Sequence, residues 1–330
     1  MNAAKPILSV SDLTIDFSPG SGRLPAVSEV TFTVQPGEMM CIVGESGSGK
    51  SVTALAIMGL LPSTARLTGG MDFDGRDLTR LSRRQWQNIR GREIGMIFQE
   101  PMTSLNPVFT IGRQLVESIR HHQRISPRAA RARAVELLDK VGIPSPRYRL
   151  DDYPHQMSGG MRQRVMIAIA LTCSPKLLVA DEPTTALDVT IQGQLLDLLN
   201  QLREDTGTAI MLITHNMGVV AEVADRVTVM YSGQMAEQAD VMQIFDRPAH
   251  PYTRGLMIST PNLITTLHRL TTIPGTMPNP ADPPPGCLFA PRCDMATPAC
   301  DAGRPANRAL SDTHLSACLR AEDLQGALTR

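Results

Sequence analysis

Apolar and polar residues alternate in two stretches near the amino terminus, residues 7–17 and 27–43. Glycine, proline and serine interrupt both stretches, so the pattern predicts short strands joined by turns. After residue 43 the period changes, because a glycine-rich segment separates the last of these strands from an apolar segment with helical character. The chain is therefore predicted to pass from strands into a strand, loop and helix unit.

Helical periodicity dominates from about residue 104 to residue 165, and its clearest amphipathic stretch is 128–140. Beyond residue 166, predicted helices alternate with short apolar strands at residues 176–182, 208–215 and 226–233. This alternation predicts an α/β fold with a mainly parallel sheet covered by helices.

The carboxy-terminal part of the chain has a different composition. Nine prolines fall between residues 274 and 305, so we expect little regular secondary structure there. The sequence predicts a boundary at about residue 255, with a large domain at 1–255 and a smaller extension at 256–330.

Composition excludes several classes of protein. The 330 residues include 32 Lys and Arg and 32 Asp and Glu, and this zero net charge argues against nucleic acid as the main partner. An apolar content of 42% is that of an ordinary globular protein. The longest apolar stretches fall well short of the ~20 residues of a membrane-spanning helix, and the first residues do not resemble a signal peptide. We therefore expect a soluble, cytoplasmic chain.

The glycine-rich segment GESGSGKS matches the phosphate-binding pattern GxxxxGK[ST] in its required setting between a strand and a helix. The glycines allow backbone N–H groups to point at one anion, Lys50 can reach the β- and γ-phosphates, and Ser51 can bind Mg²⁺. An ordinary glycine turn is a poor alternative for so specific a pattern. The predicted nucleotide-binding residues are Gly44, Glu45, Ser46, Gly47, Ser48, Gly49, Lys50, Ser51 and Val52.

A buried apolar strand ends in two carboxylates, Asp181 and Glu182. Taken alone, this pattern is as typical of an ordinary strand-to-loop exit as of a catalytic site. With a phosphate loop upstream, it predicts that Asp181 binds Mg²⁺ and that Glu182 lies beside the water that attacks the γ-phosphate.

The segment MSGGMRQR, which precedes a predicted helix, resembles the signature motif of the ATP-binding cassette (ABC) ATPases. Its Ser158 and glycines could offer donors to an anion at a helix amino terminus. Met161 replaces the glutamine of the generic motif, as is usual in the peptide-import group. Other residues resemble further family elements: Gln99 the Q-loop glutamine, Ala186-Leu187-Asp188 the D-loop, His215 the switch histidine, and Phe17 the aromatic that stacks on adenine, although Phe17 could also be a core residue.

A narrower group, the oligopeptide and dipeptide import ATPases, is indicated by four segments, 100–107, 153–164, 181–190 and 250–253. The resemblance covers about residues 7–330. It implies a RecA-like P-loop core with an antiparallel β subdomain, a helical subdomain at about 104–165, and a Pro/Cys-rich carboxy-terminal extension. It further implies catalytic roles for Glu182, His215 and Gln99, Mg²⁺ ligation by Ser51, Gln99 and Asp181, and action of Ser158, Gly159 and Gly160 on a partner's ATP.

The resemblance implies an ATPase that powers peptide import from the cytoplasmic face of the inner membrane. The implied partners are a second ABC ATPase in a heterodimer, two transmembrane permease subunits and an extracytoplasmic solute-binding protein. Nickel, glutathione or an oligosaccharide remain alternative solutes. A soluble ABC ATPase of DNA repair or translation would need a coiled-coil insertion, tandem cassettes or a basic surface, and a non-enzymatic iron–sulfur regulator would not need the catalytic set.

The extension contains four of the six cysteines, Cys287, Cys293, Cys300 and Cys318. A reducing compartment argues against disulfides, and four thiolates suit either Zn²⁺ or an iron–sulfur cluster. Unliganded structural thiols are the third possibility. The resemblance implies a [4Fe–4S] cluster, with zinc as the alternative. Because the extension lies outside the catalytic motifs, we expect cysteine variants to lose stability or assembly before they lose ATP binding. The two other cysteines, Cys41 and Cys173, are predicted to be core residues.

Overall fold

A computed structural model of the chain describes residues 5–18, 20, 24–99, 104–185, 188–260 and 272–328. The described residues divide into two compact units. Within these ranges, the first unit takes its residues from 5–7, 35–38 and 80–212, and the second from 8–34, 39–79 and 213–328.

Strands and helices alternate through most of the described chain. The strands are β1 Leu8–Asp16, β2 Val27–Val34, β3 Met39–Val43, β4 Arg66–Phe73, β5 Arg76–Asp77, β6 Ile94–Ile97, β7 Leu177–Asp181, β8 Ala209–Thr214, β9 Arg226–Tyr231, β10 Gln234–Asp240, β11 Arg308–Ser311 and β12 His314–Ser316. The α-helices are α1 Lys50–Ile57, α2 Arg83–Ile89, α3 Ile111–His122, α4 Pro127–Lys140, α5 Pro146–Arg149, α6 Gly159–Ala170, α7 Val189–Thr206, α8 Met217–Val223, α9 Val241–Asp246, α10 Pro251–Ser259 and α11 Ala321–Leu328.

The second unit contains an antiparallel sheet with the strand order β2-β1-β4-β5. Along β2, the apolar side chains of Val27, Val30, Phe32 and Val34 are buried while Thr31 between them is exposed. This alternation is the pattern of a strand with one face on a core, and it confirms the strands predicted near the amino terminus.

The second unit also places the strand before the phosphate loop. All five residues of β3 are buried, and β3 pairs in parallel with β9, with Cys41 opposite Val227. Strand β9 in turn pairs antiparallel with β10. A strand buried on both faces lacks polar alternation, which explains the continuous apolar run before Gly44.

The strand that ends at the predicted carboxylates, β7, belongs to the first unit. Strands β6 and β7 pair in parallel, with Ile94 opposite Leu177, and β7 is buried along its length up to Asp181. Parallel pairing brings the ends of β6 and β7 to the same edge, so the residues that follow them can meet there.

Helices of the first unit occupy most of the predicted helical region. The Ser126 hydroxyl caps α4 by accepting a hydrogen bond from the Ala129 N–H, and Pro127 occupies the first turn, where its missing N–H costs nothing. Ala130, Ala134 and Leu137 then form the buried face at helical spacing.

The extension is poor in regular structure, as its prolines predict. Its described part contains the short turns Ala290–Arg292 and Pro298–Asp301, the small strands β11 and β12, and α11. Strand β12 pairs antiparallel with β10, which joins the extension to the rest of the second unit. Among the described residues, none of the helices combines the length and the apolar character that crossing a membrane requires.

Candidate active site

The phosphate loop connects β3 to α1 in the second unit. The Lys50 ammonium lies inside the loop and donates hydrogen bonds to the Gly44 carbonyl oxygen at 2.7 Å and the Glu45 carbonyl oxygen at 2.8 Å. The Ser48 hydroxyl lies 3.4 Å from the same Nζ atom. Lys50 is only 4% exposed, so the loop wraps around its one cation.

Glycine is required at two positions of this loop by close packing. A Cβ atom at Gly44 would lie 2.2 Å from the Met230 carbonyl oxygen, and one at Gly49 would lie 2.6 Å from the Ala26 carbonyl oxygen. Gly49 also has a φ of 97°, which other residues rarely adopt. The first turn of α1 contains no acidic residue, so the buried lysine and the helix amino terminus fit an anionic phosphate chain.

The carboxylates lie in the first unit at the end of β7. Asp181 is 5% exposed, and Glu182 follows it with a φ of 45°, a strained value for a residue with a side chain. One oxygen of Glu182, Oε2, accepts hydrogen bonds from Gln99 Nε2 at 3.1 Å and from Thr185 Oγ1 at 2.9 Å. The structure therefore brings together the predicted catalytic residues Gln99 and Glu182, and it adds Thr185.

Thr185 was missed by the sequence reasoning, although a signal was present. It follows Glu182 by three residues in the segment EPTT, and hydroxyl residues commonly bond to groups a few positions away in such turns. With two donors on one oxygen, the orientation of the Glu182 carboxylate is defined.

The signature segment begins α6 in the first unit. The Ser158 hydroxyl caps the helix by accepting a hydrogen bond from the Met161 N–H at 3.3 Å, and Ser158 and Gly159 are exposed. A Cβ atom at Gly159 would meet nothing within 4 Å. The buried Gln163 donates a hydrogen bond to the Pro183 carbonyl oxygen at 2.8 Å, which ties the signature helix to the segment after Glu182.

The other residues predicted for the site are the switch histidine, the adenine-stacking aromatic and the D-loop. His215 follows β8 and Phe17 follows β1, both belong to the second unit, and both are exposed, Phe17 by 39%. The Asp188 carboxylate caps α7 by accepting a hydrogen bond from the Ile191 N–H at 2.9 Å, which gives it a local structural role. Two of the D-loop residues, Ala186 and Leu187, and residues 100–103 of the segment after Gln99 lie outside the described residues.

The extension gathers its four cysteines around one small cavity, which is also lined by His250 and Phe289. All six cysteines are described and are free thiols. Even so, within the described part of the chain, no three His, Cys, Asp or Glu side chains are arranged to hold a metal ion.

Burial raises the pKa of the Cys287, Cys293 and Cys318 thiols, in the case of Cys318 to about 11. Cys41 is buried as predicted, and its pKa is raised by burial. The prediction of a core position for Cys173 is wrong, because Cys173 is only half-buried in the turn after α6.

A β-strand, a phosphate loop and a helix, together with a buried strand ending in an Asp-Glu pair, define a P-loop nucleoside triphosphatase. Comparison with known proteins makes the class narrower. The family model "ABC transporter" matches residues 27–185, and the model "Oligopeptide/dipeptide transporter, C-terminal region" matches residues 236–300.

Full-length relatives agree with these matches. The dipeptide transport ATP-binding protein DppD of Bacillus subtilis is 51% identical over 94% of this chain and 94% of its own length. The DppD protein of Escherichia coli is 49% identical over 94% of this chain and 96% of its own length. A solved ATP-binding cassette, a post-hydrolysis dimer bound to ADP and Pi, covers 71% of this chain and 98% of its own length with a TM-score of 0.64 and 28% identity.

The chain therefore belongs to the ABC transporter ATP-binding proteins of the oligopeptide/dipeptide type. It has the ABC ATPase fold and is an ATPase that uses ATP and Mg²⁺. The predictions of fold, family and enzyme class are confirmed.

Proposed function

We propose that this chain is the ATP-hydrolysing subunit of an importer for dipeptides or oligopeptides, acting at the cytoplasmic face of the inner membrane. The observation that carries the proposal is the carboxy-terminal region, which matches the oligopeptide/dipeptide transporter model and is shared with relatives named for dipeptide transport. We also propose residues 1–255 as the nucleotide-binding domain, with a helical subdomain at about 104–165, and residues 256–330 as the extension.

The proposed ATP site uses the phosphate loop, residues 44–52, to hold the phosphates, with Lys50 as its cation and Phe17 against the adenine. Mg²⁺ would be held by Ser51, Gln99 and Asp181, and when bound it withdraws charge from the phosphate oxygens. Glu182 would orient the attacking water, because the hydrogen bonds from Gln99 and Thr185 to its Oε2 hold the carboxylate in one orientation. His215 would contact the γ-phosphate.

The test is uptake of labelled dipeptide by cells that lack this chain and regain it as wild type or as Glu182→Gln. We expect uptake with the wild type alone. Dipeptide uptake that is unaffected by the loss of the chain, together with failed uptake of nickel, glutathione or an oligosaccharide, would refute the assignment of a peptide substrate.

We propose that the chain works with a second ABC ATPase in a heterodimer, with two permease subunits and with an extracytoplasmic solute-binding protein. The exposure of Ser158 and Gly159 at the start of α6 supports the dimer, since these donors can act on a phosphate held by another chain.

A mixed complex tests this head-to-tail arrangement, with Ser158→Arg in this chain and an unaltered partner. Hydrolysis should fall at the partner's phosphate loop and persist at the loop of this chain. A defect at the Lys50 site of the altered chain would contradict the arrangement.

We propose that the four extension cysteines hold a [4Fe–4S] cluster. Four thiols that line one cavity offer the Cys₄ donor set of such a cluster, and because burial raises the pKa of Cys318, metal binding there would have to release its proton. Protein purified without oxygen should be brown, with absorption near roughly 400 nm that is lost when the four residues are changed to serine.

The matched control for the cluster is Cys173→Ser, which lies outside this cavity and should leave the colour unchanged. Colourless protein with one bound zinc would favour the zinc alternative, and protein free of both metals would refute the proposal of a metal site.

A further inference from the structure

Glu45, the second residue of the phosphate loop, is held by the carboxy-terminal extension. Arg292 donates two hydrogen bonds to its carboxylate, from Nη1 to Oε2 at 2.8 Å and from Nη2 to Oε1 at 3.0 Å. The side chain of Arg292 is 6% exposed and that of Glu45 is 28% exposed. Bidentate arginine–carboxylate pairs are stronger and more directional than single contacts, so this pair defines the position of Glu45.

The guanidinium of Arg292 is itself fixed by two other contacts. Its Nε donates a hydrogen bond to the Pro274 carbonyl oxygen at 2.7 Å, and Nη1 also lies 3.3 Å from the Tyr231 hydroxyl. Burial opposes the charge of Arg292, but hydrogen bonds to Glu45 and Tyr231 outweigh it and raise the pKa. The guanidinium that faces the loop is therefore charged and is held by contacts on several sides.

The main chain of Glu45 is held as well. Its N–H donates a hydrogen bond to the Tyr252 hydroxyl at 2.8 Å. Tyr252 is fully buried, and its ring lies 4.7 Å from that of Tyr231 and 5.4 Å from that of Phe289, between centroids. The side chain and the backbone of this one loop residue are thus both attached to residues outside every nucleotide-binding motif.

We propose that Arg292 is a positioning residue for ATP binding, which holds Glu45 in place and neutralises its charge beside the incoming phosphates. The inference rests on the proposed role of residues 44–52 as the phosphate site. Two physical effects act in the same direction. A loop that is already in its binding conformation loses less freedom when ATP binds, and a paired carboxylate repels the phosphates less than an unpaired one.

The two effects predict an unusual order of affinities among variants. Arg292→Gln should weaken the binding of Mg-ATP by about 5- to 30-fold, because it loosens the loop and leaves the Glu45 carboxylate unpaired. Glu45→Gln should weaken Mg-ATP binding less, since it removes the repelling carboxylate charge together with the ion pair to Arg292. The double variant should therefore bind better than Arg292→Gln and about as well as Glu45→Gln.

The assay is isothermal titration calorimetry, in which the purified full-length chain is titrated with Mg-ATP at low and at moderate salt. The affinity ratio between wild type and Arg292→Gln should shrink as salt rises, because the repulsion is screened. In the assembled transporter, Arg292→Gln should raise the KM for ATP and leave kcat nearly unchanged. A merely structural role for Arg292 would produce neither the salt dependence nor recovery by the second substitution.

Two variants serve as controls. Arg254→Gln breaks an ion pair with Asp294 in the same region of the second unit and should keep the wild-type affinity. Lys50→Ala should lose ATP binding, and if it binds ATP normally, the proposed phosphate site is wrong and this inference fails with it. Normal affinity of Arg292→Gln alongside a defective Lys50→Ala would overturn the inference alone, as would a double variant no better than Arg292→Gln.

Discussion

Acidification should destabilise the folded protein through His250, which begins α10 beside the extension. Its ring is only 4% exposed and lies 5.9 Å from that of Phe289. Its Nδ1 atom accepts a hydrogen bond from the Tyr252 N–H at 3.0 Å, so this nitrogen must be unprotonated. Burial lowers the pKa of His250 from 6.5 to about 4.

The sign and the size of the effect follow from proton linkage. The full stabilisation is present above pH 6.5, where neither state is protonated, and it is lost as pH falls from 6.5 towards 4, because the unfolded chain binds the proton first. At about 1.4 kcal/mol for each pH unit, the whole interval corresponds to about 3.5 kcal/mol. At about pH 5, roughly 2 kcal/mol of this is already lost.

The assay is urea unfolding of wild type and His250→Asn, at about pH 7.5 and about pH 5. Asparagine offers its Oδ1 as an acceptor at the same helix-capping position but does not titrate. The variant should be less stable at the higher pH because ring packing is lost, yet it should lose about 2 kcal/mol less between the two conditions. Equal losses for both proteins would refute the assignment of this pH dependence to His250.

Three further predictions concern catalysis. Glu182→Gln should keep Mg-ATP binding and lower phosphate release at this site by about 100-fold or more, and turnover near the wild-type rate would contradict its role. Thr185→Val should lower kcat by about 3- to 10-fold with little change in the KM for ATP, because a donor that helps to orient Glu182 is lost; an effect on KM alone would contradict this reasoning. Gly49→Ala should abolish nucleotide binding in a chain that still folds, since the new Cβ would lie 2.6 Å from the Ala26 carbonyl oxygen, and unaltered binding by calorimetry would show that the loop can relax.

Much of the fold was predictable from short sequence patterns in which certain positions require certain residue types. The buried run of β3 before Gly44 and the buried run of β7 before Asp181 each combine a length, an apolar content and a terminal residue type that few other structures require. The alternation in β2 predicts its buried face for the same reason. Such signals depend on neighbours in sequence, and so a single chain is enough to reveal them.

Contacts between distant segments were not predictable in this way. Glu45 and Arg292 are separated by 247 residues, and nothing in the spacing of either motif distinguishes Arg292 from the many other arginines of the chain. The cysteines illustrate the same limit. The family resemblance implied a shared site, and the four cysteines do line one cavity, but the sequence alone does not give the positions of the sulfur atoms.

The position of Arg292 changes the expectation for the cysteine variants. From the sequence, the extension lies outside the catalytic motifs, which predicts a loss of stability or assembly first. In the structure, Arg292 immediately precedes Cys293. Backbone hydrogen bonds from Ala290 N–H to the Cys287 carbonyl and from Cys293 N–H to the Ala290 carbonyl connect the two cysteines through the same turn. A change at either sulfur that moves this turn also moves the guanidinium that holds Glu45. The state of the cysteines and the affinity for ATP are therefore expected to change together, even in variants whose folded population is intact.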